Sequence, residues 1–130
     1  DFKCSVVAIE EVPMSLTNQY GIIAGTPIKN SKNTYQVSSM VEKPEEQNAP
    51  SNFGIIGRYI LTPDIFDILE NIKPDNSGEI QITNALNEQA KKNKVIAYKF
   101  QGRRFDCGSV KGYLEATNYF AKKLGFKAYS

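Results

Sequence analysis

The sequence predicts an α/β or α+β arrangement, with hairpins at its start and helices later, in one domain's length of 130 residues. Three observations predict it. β-branched runs separated by Pro, Asn and Gly dominate the first half of the chain. Two stretches with apolar residues at helical spacing follow. A further alternating strand then separates those helices from a last one, giving the order β-β-β-β-α-α-β-α.

The elements follow in order. Cys4 to Ile9 (CSVVAI) is a run suited to a buried strand. Glu10 to Gln19 is polar, contains Pro13 and reads as a loop. Tyr20 to Gly25 (YGIIAG) and Tyr35 to Glu42 (YQVSSMVE) flank a turn-rich segment with Pro27, Asn30, Ser31 and Asn33, so they predict a hairpin. Lys43 to Ser51 holds Pro44 and Pro50 and reads as a loop. Gly54 to Leu61 (GIIGRYIL) is a strand with two internal glycines, which often mark close approach of a ligand or another backbone.

Thr62-Pro63-Asp64 predicts a helix start, with Thr62 as N-cap. Ile65, Phe66, Ile68, Leu69 and Ile72 supply that helix's apolar face. A turn at residues 73–78 leads to a second helix over about 79–92, with Ile80, Ile82, Ala85, Leu86 and Ala90 apolar. Ser77 would cap it, with Glu79 favoured by the helix dipole, or its N-terminus would face a ligand. Lys94 to Phe100 alternates as a strand, and a last helix runs over about 110–124, with Ser109 a well-placed cap.

Composition excludes several function classes. A net charge of +2, with Lys and Arg scattered apart from Lys91-Lys92 and Lys122-Lys123, gives no electrostatic case for nucleic acid. No apolar run approaches the length of a membrane span. Two cysteines make no disulfide framework, so both read as reduced thiols of a cytoplasmic protein. Cys107 has no evident base nearby in sequence and reads as a packing residue. The absence of histidine removes imidazole acid/base chemistry and imidazole metal ligation. A metal here would take oxygen ligands, as Mg²⁺ does.

The motifs with chemical content are Glu42-Lys43-Pro44 and, much later, Phe105-Asp106-Cys107-Gly108. A carboxylate accepts sugar hydroxyls, and an ammonium serves a phosphate as a point charge. In a continuing strand Glu42 and Lys43 would point to opposite faces. Pro44 disfavours the helical region for Lys43 and starts a break. Taken alone, the pair is more ordinarily a solvated strand end. Asp106 beside Gly108 suits a divalent ion, or else caps the helix that follows. Gly57 could leave room for a ligand above its strand, with Arg58 a structural partner for an acid. Tyr20-Gly21 could offer a backbone N–H to the same pocket.

Together the stretches YGII, MVEKP, APSNFGIIGRYILTPDIFDIL, GEIQITNAL, AYKFQGRRFDCG and KGYLEAT resemble the second half of the bacterial UTP–glucose-1-phosphate uridylyltransferases. Their order and spacing span nearly all of the chain, from about Tyr20 to Thr117. The resemblance implies an α/β fold, the C-terminal portion of a Rossmann-like nucleotidyltransferase fold with a mixed sheet and flanking helices, over residues 1–130. It also implies transfer of UMP from UTP to glucose 1-phosphate, giving UDP-glucose and pyrophosphate, with Mg²⁺ as cofactor. Lys43 would be catalytic and would bind the sugar phosphate. Gly21, Glu42 and Gly57 would bind substrate, and Asp106 would hold metal. The complete protein would be a homo-oligomer, and this chain alone would be inactive.

Two departures stand out. No glycine-rich nucleotide loop occurs, so the nucleotide-binding half is expected to lie outside these residues. Asn84 stands where the family usually has Asp, and a packing role is expected of it. The alternatives are a non-catalytic binding or regulatory module on the same half-fold, or a thymidylyl- or adenylyltransferase of sugar phosphates.

Overall fold

The computed structural model describes residues 3–126 and contains two compact units, one through Phe100 and the other from Gln101 onward. The first unit holds β1 (Ser5–Glu11), β2 (Gly21–Pro27), β3 (Thr34–Glu42), β4 (Phe53–Ile60), α1 (Ile65–Asn71), α2 (Ile82–Ala90) and β5 (Val95–Lys99). The second holds α3 (Val110–Lys123). Short 3-10 turns at Met14–Gln19 and Glu46–Asn48 occupy the two segments expected to be loops.

The strands bond in the order β1-β4-β2-β3-β5, and β5 returns to β1, so the sheet closes on itself. Only β1 and β5 run parallel; the other pairs are antiparallel. The sheet is therefore mixed, as the resemblance implies. The predicted hairpin is present, and its register sets Gly21 opposite Glu42 and Ile23 opposite Met40. Its turn is made by Asn30 and Asn33 at φ 64° and 61°, a left-handed conformation that Asn tolerates better than most residues.

One core serves the first unit. Val7, Ile9, Ile23, Val37, Ile55, Val95 and Ala97 from the strands meet Ile65, Ala85, Leu86 and Ala90 from the helices. Alternation is strict along β1, where Ser5, Val7 and Ile9 are buried and their neighbours are not. Phe66, expected on the apolar face of the first helix, is instead 67% exposed, while Ile65 is buried. Ile80 is likewise exposed, because the chain is not yet helical there.

A buried polar network ties β1 to both helices. Gln89 is fully buried, accepts from the Ser5 hydroxyl (2.7 Å), and donates to Thr62 Oγ1 (3.0 Å) and Asp64 Oδ1 (3.1 Å). Thr62 therefore does not cap α1 with its side chain: its hydroxyl is given to Asp64 at 2.5 Å, and its carbonyl starts the turn by accepting from Ile65. Burying Gln89 is tolerable because both ends of its amide are satisfied.

The second helix begins at Ile82 rather than near residue 79. The cause is Asp75. Its Oδ1 accepts from the Ser77 N–H (2.8 Å), the Ser77 hydroxyl (2.6 Å) and the Glu79 N–H (3.1 Å), while Oδ2 accepts from Gln81 Nε2 (3.0 Å). This side chain occupies donors that a helix beginning at Ser77 would present, and keeps residues 75–81 as a loop. Ser77 thus donates to Asp75 and does not cap α2, whose preceding residue Gln81 makes no capping bond.

Two predictions follow from these networks. Gln89→Ala should lower unfolding free energy by about 2–4 kcal/mol, since it opens a cavity and takes the acceptor away from the buried Ser5 hydroxyl. A urea titration of the complete protein that gives a loss under about 1 kcal/mol would contradict the network's structural importance. The second concerns pH. Hydrogen bonds, first from Ser77 and then from Gln81 and Glu79, hold the Asp75 carboxyl down from 3.8 to about 2. Because the folded value is the lower one, the loop's bonds are fully present above about pH 4 and are lost as pH falls toward 2. Protection of the Ser77 and Glu79 amides, taken relative to their intrinsic exchange rates at each pH, should fall over that range, and protection already lost at pH 4 would contradict it.

Candidate functional site

β3 ends at Glu42, and Lys43 takes φ 46°, a left-handed conformation unusual for a residue with a side chain. The strand thus breaks at this pair, and strict alternation stops applying to it. Two bonds clamp the break. The Lys43 N–H donates to the Tyr20 carbonyl at 2.9 Å. The buried Thr17 hydroxyl lies 3.2 Å from the Pro44 carbonyl and 2.9 Å from that of Met14. Tyr20 meets this turn through its carbonyl; its N–H is given to Thr17 O at 3.2 Å and is not offered to a pocket.

Glu42 is fixed from two sides. Thr83, buried in the first turn of α2, donates its hydroxyl to Glu42 Oε2 at 2.5 Å. Gly21 lies opposite in the register. A Cβ on Gly21 would stand 3.1 Å from Glu42 Oε2, 3.2 Å from Thr83 Oγ1 and 3.2 Å from Ile55 Cδ1. Glycine here leaves the space in which the carboxylate and the hydroxyl meet. Tyr59, on β4, feels the same carboxylate: burial first, and the Glu42 charge second, push its phenol above the ordinary value.

Glu42 and Lys43 line an open pocket of about 550 Å³ with Asp75, Glu79, Gln81 and Asn84. Asn84 is exposed on the pocket rim rather than packed inside. The lining is rich in oxygen acceptors and has Lys43 as its cation. Such a surface can take several hydroxyl donors and one phosphate.

The remaining residues singled out from the sequence sit as follows. Gly57 occupies an irregularity in the β1–β4 pairing, where Val7 faces Tyr59 and Ile9 faces Ile55. Its φ is 73°, and a Cβ there would meet open space, so glycine answers a backbone need and leaves the surface above it clear. Arg58 is exposed beside Ile60 and Tyr98 on the outer side of the sheet. Cys107 is exposed and Cys4 half-buried, both as free thiols, so Cys107 does not pack as expected.

Asp106 belongs to the second unit, where its backbone is closely held. Oδ1 accepts from the Gly108 N–H at 3.1 Å, and the Asp106 carbonyl lies 3.2 Å from the Ser109 hydroxyl. Ser109 caps α3, as predicted, by accepting from the Gly112 N–H at 3.0 Å. A Cβ on Gly112 would run into the Asp106 carbonyl. Phe105 packs on Tyr119 and Phe120, with Arg103 stacked 4.8 Å above the Phe105 ring. Among the described residues no group of three or more His, Cys, Asp or Glu side chains gathers to hold a metal. Asp106 on its own, exposed and oxygen-only, fits the partial carboxylate set with which Mg²⁺ is commonly held.

Sequence reasoning missed Thr83 as a partner of Glu42 and Gly112 as the seat of Asp106. Thr83 lies inside GEIQITNAL, and its pairing with Glu42 spans 41 positions, so it leaves no local signal; Gly112 lies inside KGYLEAT, close to Asp106 in sequence, where a glycine in the first turn of a helix is the local signal.

The chain is 58% identical over 123 residues to a UTP–glucose-1-phosphate uridylyltransferase of Pseudomonas aeruginosa, covering 95% of this chain and 43% of the relative. It is 44% identical to one of Staphylococcus haemolyticus, covering 92% and 41%. A crystal structure of a UDP-glucose pyrophosphorylase complexed with UDP-glucose superposes with TM-score 0.87 at 53% identity, covering 94% of this chain and 46% of that one. A UTP-bound enzyme of Acinetobacter baumannii superposes with TM-score 0.74 at 37% identity, covering 92% and 40%. The chain thus spans less than half the length of each of these. A model of the family described as nucleotidyl transferase matches residues 2–123, and the chain belongs to that family.

Proposed function

We propose that the chain is the sugar-phosphate-binding part of a UTP–glucose-1-phosphate uridylyltransferase. The observation that carries the reading is the joint presentation of Glu42 and Lys43 at one broken strand end, in a pocket of acceptors. The high identity to uridylyltransferases over nearly the whole chain supports the choice of substrate.

Glu42 accepts sugar hydroxyls. Lys43 pairs with the phosphate of glucose 1-phosphate and holds its oxygen toward the α-phosphorus of UTP. That oxygen forms the new P–O bond as the bond to pyrophosphate breaks, so UDP-glucose and pyrophosphate result. No covalent enzyme intermediate is required, and the contribution of the chain is positioning and charge. A bound Mg²⁺ supplies neutralisation of phosphate charge. Asp106 is the carboxylate with which this chain would hold it, and Gly112 keeps that loop seated.

In the complete protein, Lys43→Ala should lower kcat/KM for glucose 1-phosphate by roughly 10- to 100-fold or more, the worth of a charge-assisted bond. A pyrophosphate-release assay with UTP and glucose 1-phosphate measures it. Wild-type turnover in that variant would remove Lys43 from the reaction, and no turnover in the unmodified protein would remove the reading itself. Gly21→Ala should raise KM for glucose 1-phosphate with little change in KM for UTP. Its Cβ requires Glu42 or Thr83 to move by a few tenths of an ångström. An unchanged KM for the sugar phosphate would show that the pocket absorbs the methyl.

A further inference from the structure

We propose that Thr83 is a positioning residue that sets the selectivity of the sugar pocket, by committing one oxygen of Glu42 to the protein and leaving the other to read substrate hydroxyls. The inference rests on the reading of Glu42 as a sugar ligand.

The geometry is specific. Thr83 Oγ1 donates to Glu42 Oε2 at 2.5 Å, across 41 positions of sequence. Thr83 is only 4% exposed, so water does not compete freely for its hydroxyl. A free glutamate at a strand end rotates about three side-chain bonds and presents either oxygen in many directions. With Oε2 held, Oε1 has a defined position relative to the sheet. A carboxylate oxygen in a fixed place favours one arrangement of neighbouring hydroxyls over its epimers; a wandering one does not.

The surroundings make that position firm. Gly21 opposite Glu42 has no side chain, and any Cβ there would crowd Oε2 and Oγ1 together. The helix that carries Thr83 is pinned to the same strand a second time, where Asn87 Oδ1 accepts from the Met40 N–H at 2.9 Å. Asn87 lies one helical turn beyond Thr83, so the two bonds grip β3 along one helix face. Thr83 therefore cannot follow Glu42 if the carboxylate swings; the carboxylate is held to a fixed hydroxyl. Threonine suits this role because its hydroxyl is short and its branched carbon has few rotamers.

The test is a mutant cycle in the complete protein, assayed with glucose 1-phosphate and with galactose 1-phosphate. Thr83→Val keeps the shape and removes the donor. It should raise KM for glucose 1-phosphate by about tenfold or more, as loss of a hydrogen bond to a charged group does, with KM for UTP unchanged. It should also narrow the preference for glucose 1-phosphate over its epimer. Thr83→Ser should restore both. In the Glu42→Gln background, Thr83→Val should cost little more, because its effect runs through Glu42.

Equal losses toward both sugars and toward UTP, or full additivity with Glu42→Gln, would reduce Thr83 to a structural residue and overturn the proposal. If Thr83→Val does not fold, Thr83→Ser against Thr83→Ala, compared by the same epimer ratio, decides it. Absence of turnover in the unmodified protein would overturn the reading of Glu42, and the role of Thr83 with it.

Discussion

The first unit depends on how the end of β3 is held. That strand is bonded along both edges, to β2 and to β5. Its last residue, Glu42, is caught between Gly21 on the neighbouring strand and Thr83 on α2. The same helix is held again at Met40. The core that α2 covers, the register of the hairpin and the direction of the Glu42 carboxylate are therefore one arrangement. A slip of the hairpin by one residue would move Ile23 out of the core and bring a side chain to the place of Gly21.

Lys43 shows what that arrangement costs. A left-handed conformation at a residue with a Cβ costs on the order of 1–2 kcal/mol. It persists because the Tyr20 carbonyl and the Thr17 hydroxyl hold the turn on either side of it. Without the break, consecutive residues of a strand would present the carboxylate and the ammonium to opposite faces. With it, both reach one pocket. The local strain and the shared pocket thus have a common origin in the same dihedral angle.

The sequence carried much of this. The hairpin was readable because turn chemistry and alternation are local, and the Ser109 cap because it acts within one helical turn. The broken strand end was readable from Pro44, since a proline acts on the residue before it. The closure of the sheet was not readable, since β5 pairs with β1 across most of the unit. The start of α2 is not readable, because Asp75 takes up donors ahead of the helix, and a turn with Gly78 and Ser77 looks the same whether it caps a helix or delays one. Periodicity puts Phe66 on the apolar face, yet a helix of seven residues has room for few buried positions.

The charges around the pocket bear on what it is suited to hold. Glu42, Asp75 and Glu79 face it with Lys43 as the cation among its lining residues. Hydrogen bonds from Ser77, Gln81 and Glu79 keep Asp75 ionised well below neutral pH. Such carboxylates accept hydroxyls well, but they repel a chain of phosphates. One ammonium matches one phosphate. A triphosphate entering beside it needs further cations. Under the proposed reading, then, this surface reads the sugar and its single phosphate. Neutralisation of the nucleotide falls to the metal and to the greater part of the relatives' length that this chain does not span.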